Sequence, residues 1–160
     1  MPVVSSTKDS EALTMTFVSE HAAPPERVWQ LWADPRLLER WWGPPEWPAT
    51  FPQHDLEVGG MSRYYMTGPE GEQMWGAWTI TAIDEPRYLA FDDGFADEHG
   101  TVSPEMGVTR AVVSIDPTDD GARMTIESTF ESVEQLEQMV AMGMQEGMTQ
   151  ALEQIDELLV

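Results

Sequence analysis

The chain has 160 residues, of which 41% are apolar, 9% are aromatic and none is cysteine. A domain of about that length buries roughly 68–70% of its unfolded surface and needs no staples, and the missing thiols exclude disulfides, thiolate metal sites, iron–sulfur clusters and cysteine nucleophiles. The 29 acidic residues outnumber the 8 basic ones, and the net charge of −21 opposes nucleic acid, whose affinity for proteins comes largely from phosphate neutralisation, and anionic membrane surfaces.

No apolar run approaches the roughly 18 residues of a membrane span, and Met1 to Glu11 lacks a basic-then-apolar leader pattern. A cytoplasmic protein is expected. The acidic surface reads as a solvated one, with a basic partner as the alternative.

Met1 to Glu11 is polar and aperiodic and is expected to be a flexible N-terminal tail, residues 1–11, ahead of a single domain over 12–160. Leu13 to Glu20 alternates and predicts the first strand. Pro24-Pro25 stops it, and Pro25 suits the first turn of a short helix carrying Val28, Trp29, Leu31 and Trp32. Asp34-Pro35 caps and opens a second short helix with Leu37, Leu38, Trp41 and Trp42, ended at Gly43-Pro44-Pro45.

Strands follow. They are expected at Thr50 to Val58, Met61 to Thr67, Gln73 to Asp84, Tyr88 to Asp92, Met106 to Ile115 and Ala122 to Phe130. Gly59-Gly60, Gly68 to Gly71, Glu85-Pro86 and Asp116 to Gly121 turn between them. Asp92 to Pro104 is charged, poor in apolar residues and expected to be a mobile loop.

Ser132 to Leu159 has no proline and keeps helical spacing through Leu136, Met139, Val140, Gly143, Gly147, Ala151, Leu152, Ile155 and Leu158. Ser132 and Gln135 fit a capping box. One helix of that length spans about 42 Å. Gly143 and Gly147 within it imply close packing or a bend. The order defines an α+β fold, an antiparallel sheet with helices on one side.

Chemistry-bearing residues are sparse. His21, His54 and His99 have no metal-ligand spacing and read as surface or structural histidines. No nucleophile elbow, phosphate loop or dinucleotide fingerprint occurs. No catalytic residue, metal or cofactor is assigned. The 7 tryptophans and 11 methionines suit either a core or a pocket for flat apolar molecules. Trp29 and Trp32 read as core. Trp41 and Trp42, adjacent on a helix, cannot share a face, which puts one ring inward and leaves the other for a cavity mouth. Tyr64 and Tyr65 point to opposite faces of their strand. A Tyr–Arg pair using Arg63 or Arg110 would polarise a ketone if it faced inward, and a surface ion pair is the alternative.

Several stretches together resemble one family. Ala23 to Pro45, Asp55 to Gly60, Met66 to Gly71, Ala82 to Phe91 and Glu146 to Leu159 are similar, in order, to the family related to the C-terminal domain of the heat-shock-protein-90 ATPase activator. Met148 stands where tryptophan is usual in that family. The resemblance implies a START-like, or SRPBCC, helix-grip fold: a curved antiparallel sheet around a long C-terminal helix, two short helices after strand 1, and an internal pocket. It implies a small hydrophobic ligand, aromatic or lipid-like. Candidate ligand-binding residues are then Trp41, Trp42, Tyr65, Trp78, Phe91, Phe95, Met139, Met142 and Gly143. Cyclase or dehydratase chemistry in the same pocket and a chaperone partner are the alternatives. A homodimer through a sheet edge stays open.

Overall fold

A computed structural model describes residues 3–105 and 107–159. Strands β1 (Val3–Asp9) and β2 (Thr14–His21) come first. Two short helices, α1 (Pro25–Ala33) and α2 (Pro35–Trp41), follow. Then come β3 (Ala49–His54), β4 (Met61–Thr67), β5 (Gln73–Asp84), β6 (Tyr88–Phe95), β7 (Thr109–Thr118) and β8 (Gly121–Thr129). The chain ends with α3 (Val133–Ala141), α4 (Met144–Glu153) and a 3-10 turn at Ile155–Leu158.

The eight strands form one sheet in the order β1-β2-β8-β7-β6-β5-β4-β3. Every pairing is antiparallel. The α+β reading therefore holds, in an arrangement consistent with a helix grip. Alternate residues of β2, β7 and β8, such as Met15, Phe17, Val113, Ile115, Met124 and Ile126, are buried on one face, the period-2 signature of a half-covered sheet. They share one core cluster with Val28, Leu31 and Trp32 of α1, Leu38 and Trp41 of α2, Leu136 of α3 and Leu152 of α4.

The helix starts follow their local chemistry. Pro25 and Pro35 occupy first-turn positions, and the Asp34 carboxylate accepts from Arg36 N at 2.9 Å. Ser132 Oγ accepts from Gln135 N at 3.1 Å, while Gln135 Oε1 reaches back to Glu131 N at 2.6 Å. This is a capping box displaced by one residue at its return arm.

Three expectations are corrected. The expected flexible tail contains a strand: Ser5 to Asp9 pairs with Thr14 to Val18, and Gln145 of α4 donates to Ser6 Oγ. Met1 and Pro2 of that tail lie outside the described residues. As an edge strand with mixed exposure, β1 has no alternation to betray it. The stretch 92–104 is largely ordered: β6 runs on to Phe95, Ala96 bridges Val102, and the Asp97 carboxylate accepts from His99 N and Thr101 N at 2.9 and 3.0 Å. Met106, where the next strand was expected to begin, also lies outside the described residues, and β7 starts at Thr109.

The third correction concerns the C-terminal helix. It is two helices, not one. Gly143 has φ +86°, in the left-handed region that glycine occupies without strain. The hydrophobic spacing runs straight through the break, so periodicity could not reveal it. A Cβ at Gly143 or Gly147 would meet nothing within 4 Å, so a bend, rather than close packing, accounts for Gly143. Gly143→Ala is expected to cost about 1 kcal/mol through the left-handed backbone alone. Urea unfolding would measure it, and an unchanged midpoint would mean that the bend is not held in the left-handed form.

Candidate functional site

Between α3, α4 and the β4–β8 part of the sheet lies an open cleft of about 400 Å³. Its floor is aromatic. Trp78 of β5 stacks on Phe91 of β6 with centroids 4.1 Å apart, and Trp42 packs edge-on to Trp78 at 4.9 Å. Trp42 caps α2 in extended conformation, and its ring meets that of Trp41 edge-on at 5.6 Å. Methionine supplies much of the remaining wall: Met66 and Met74 from strands, and Met139, Met142, Met144 and Met148 from the two helices. Met74 and Met142 are 41% and 51% exposed and mark the mouth. Gln154 Nε2 donates to Gly43 O at 2.9 Å, tying the end of α4 to the turn after α2.

Of the nine candidate residues, the structure brings six to this cleft: Trp42, Phe91, Phe95, Met139, Met142 and Gly143. Three are placed elsewhere. Trp41 is fully buried in the core, donating to Leu31 O at 2.9 Å. Trp78 is fully buried behind Phe91 and Trp42, supporting the floor without lining the cleft itself. Tyr65 lies on the other face of β4, against Trp75 at 4.7 Å. The inward tyrosine is Tyr64. Arg63 and Arg110 also leave the cleft: Arg63 bonds Gln53 and the Glu98 carbonyl, and Arg110 pairs with Asp92 at 3.4 Å. A Tyr–Arg pair is thereby excluded.

The chemistry that sequence reading missed is a Tyr64–Asp93 pair. Tyr64 Oη donates to Asp93 Oδ1 at 2.9 Å. Gly76 lies opposite Tyr64 in the β4–β5 register, and a Cβ there would sit 2.4 Å from the phenol. The bare backbone lets the ring lie across β5 towards β6, a close approach that a strand glycine permits. Gly76 between Trp75 and Trp78 was the available signal.

Burial pushes Asp93 up to about 7, opposed by the hydrogen bonds from Tyr64 and the Gly94 N–H. Burial first, and the Asp93 charge second, push Tyr64 well above its ordinary value. The indole N–H groups of Trp42 and Trp78 work the other way on the phenol, yet neither has a hydrogen-bond partner of good geometry. The remaining polar side chains of the cleft are Thr109, opposite Asp93 on β7, and Ser128 on β8.

The histidines are structural where buried. His54 Nε2 lies 2.7 Å from the Trp32 carbonyl, which can only accept, so Nε2 carries the proton and Nδ1 accepts from Ser62 Oγ at 2.7 Å. His21 bonds Ser19 and Asp156. Burial lowers both pKa values. His99 is exposed beside Glu98. Among the described residues no group of three metal-ligating side chains occurs, and no helix is long and apolar enough to cross a membrane.

Residues 22–160 match the family described as activator of Hsp90 ATPase homolog 1-like protein, and the chain belongs to it. A solution structure of a protein from Arthrobacter aurescens is 57% identical, with TM-score 0.94, covering 98% of this chain and 91% of that one. A crystal structure of a Mycobacterium smegmatis protein is 46% identical, with TM-score 0.92 and 99% and 98% coverage. A Silicibacter pomeroyi protein of 22% identity, TM-score 0.72 and 91% and 96% coverage shares the fold. No curated protein matches.

Two outcomes follow from the buried pair. Between pH 3.8 and about 7 the folded chain holds a proton on Asp93 that the unfolded chain releases, so this group's contribution to stability falls as pH rises through that window and stays low above it. The two histidines act oppositely, weakening the fold as pH drops below 6.5. Asp93→Asn should therefore gain stability over the wild type between pH 4 and pH 8, on the order of 2 kcal/mol at pH 8. Thermal melts of both proteins across that range would show it, and parallel curves would refute it. Gly76→Ala should cost about 1–3 kcal/mol by overpacking against Tyr64, whereas Gly147→Ala, at a helical position with nothing within 4 Å of its Cβ, should cost nothing and gain up to about 1 kcal/mol of helix propensity. Denaturant midpoints compare the two.

Proposed function

We propose that this protein binds a small, mostly apolar molecule in the cleft between α3, α4 and the sheet. The observation that carries this reading is the lining: aromatic rings and six methionines around about 400 Å³, with Asp93 the one charged side chain among the described lining residues. That volume is in the range of small-molecule sites, which are apolar with a few placed polar groups. Methionine adapts to varied apolar shapes. The ligand-binding residues in this proposal are Trp42, Phe91, Phe95, Met139, Met142 and Gly143, joined by Tyr64 and Asp93.

A second reading, cyclase- or dehydratase-like chemistry in the same cleft, is favoured by one observation. Asp93, pushed up to about 7 and bonded to a tyrosine, has the pKa of a general acid–base group. In that reading Asp93→Asn abolishes turnover and spares binding.

Native mass spectrometry beside the denatured mass tests the binding reading first. The expected result is an excess mass that vanishes on denaturation, or tryptophan-fluorescence saturation by flat apolar probes. Met139→Glu would weaken that response at least tenfold, by placing an unpaired charge in the apolar wall. A bare native mass with no response to a broad panel of probes would overturn it.

A further inference from the structure

Apart from the indole N–H groups of Trp42 and Trp47, the polar side chains of the described lining are of one kind. Tyr64, Asp93, Thr109 and Ser128 all present oxygen, and they sit on β4, β6, β7 and β8. No lysine, arginine, histidine, asparagine or glutamine side chain is among the described lining residues. Arg63, next to Tyr64 in the chain, and Arg110, opposite Asp92 in the β6–β7 register, are engaged on the outer face. Among the described lining residues the only titratable groups are Tyr64 and Asp93, and Trp42 and Trp78 face the phenol oxygen rather than the carboxylate.

Such a wall has acceptors to offer and lacks a counter-charge. A carboxylate next to apolar surface is unfavourable unless it is paired. An anionic ligand would add a second uncompensated charge to a chain already at −21. A protonated amine supplies what the wall lacks: a positive charge for Asp93 and further N–H donors for the Thr109 and Ser128 hydroxyls. The rings of Trp42, Phe91 and Phe95 accept an organic cation by their faces, and thioethers accommodate the apolar remainder.

We propose that the ligand of this cleft is an apolar amine, bound as its cation, with its nitrogen at Asp93 and its hydrocarbon part among Trp42, Phe91 and the methionines. This rests on the apolar-binding reading above and adds the head group to it. The elevated proton affinity of Asp93 gives the pairing a signature. At pH 6 the empty cleft holds a protonated Asp93, and the amine must displace that proton.

Three probes of one shape separate the outcomes: 2-naphthylmethylamine, 2-naphthylmethanol and 2-naphthoate, titrated into the wild-type protein by calorimetry at pH 6 and pH 8. The amine should bind about tenfold or more tighter than the alcohol at pH 8, because a charge-assisted bond exceeds a neutral one. The carboxylate should bind weakest. At pH 6, runs in buffers of different ionisation enthalpy should show about one proton released with the amine and none with the alcohol. Asp93→Asn should erase the amine's advantage over the alcohol, while Tyr64→Phe, which keeps the carboxylate, should retain it. Equal binding of all three probes overturns the amine assignment and leaves the apolar cleft standing. Binding by none of the three counts against the cleft reading itself. The ranking of the three probes comes from the wild type, so it decides the matter even if Asp93→Asn folds poorly.

Discussion

The stacking of Trp78 on Phe91, with Trp42 edge-on above them, is the contact around which the rest is arranged. It joins β5 to β6 and both to the end of α2. Trp32 adds its ring within 6.0 Å of Trp78 and of Phe91, and within 4.8 Å of Trp41. These rings hold the two short helices against the sheet through area and edge-to-face geometry. They also stop short. Past Trp42 and Phe91 the helices α3 and α4 bring methionine and glycine, where a jigsaw core would bring branched aliphatics. Gly143 and Gly147 have no Cβ and face open space. The cleft is therefore a consequence of the side chains the helices lack, as much as of those the sheet provides.

A polar pair within such an apolar wall carries a cost. Tyr64 and Asp93 meet that cost by bonding each other, and Gly76 makes the meeting geometrically feasible. Each part depends on the next: a side chain at position 76 moves the phenol, and a moved phenol leaves Asp93 with the Gly94 N–H alone. A buried polar pair contributes little stability against an apolar replacement. The binding proposed above would give the pair a use that its contribution to the fold does not.

Most of the fold was legible because turns and caps are local. The bounds of β4 and β5 follow from Gly-Gly, the Gly68–Gly71 turn and Glu85-Pro86, and both helix starts follow from proline and Asp34. What escaped was non-local. β1 has no pattern of its own and is held by β2 and by α4. The break at Gly143 leaves helical spacing intact on both sides. At the site, alternation showed that Tyr64 and Tyr65 oppose each other, but β4 is part-apolar on both faces, so the inward one was undetermined. The register against Gly76 decides it, and register is set by pairing with another strand. Asp93 was masked by Asp92, its outward-facing, half-buried neighbour: two adjacent acids read as solvated, and one of them turns in.

The same alternation assigns every charge near the cleft. Along β6, Phe91, Asp93 and Phe95 point inward and Asp92 outward, and along β7 Arg110 follows Asp92 to the outer face. The β6–β7 register sets Asp92 opposite Arg110 and Asp93 opposite Thr109. The outer acid thus has a cation across from it and the inner acid a hydroxyl. A one-residue slip of either strand would exchange these partners, and it would also expose the Phe91 stack, so the apolar core enforces the electrostatic pattern. Among the described residues, the fold places one acid without a countercation in this apolar cleft, and the aromatic floor that stabilises the sheet holds it there.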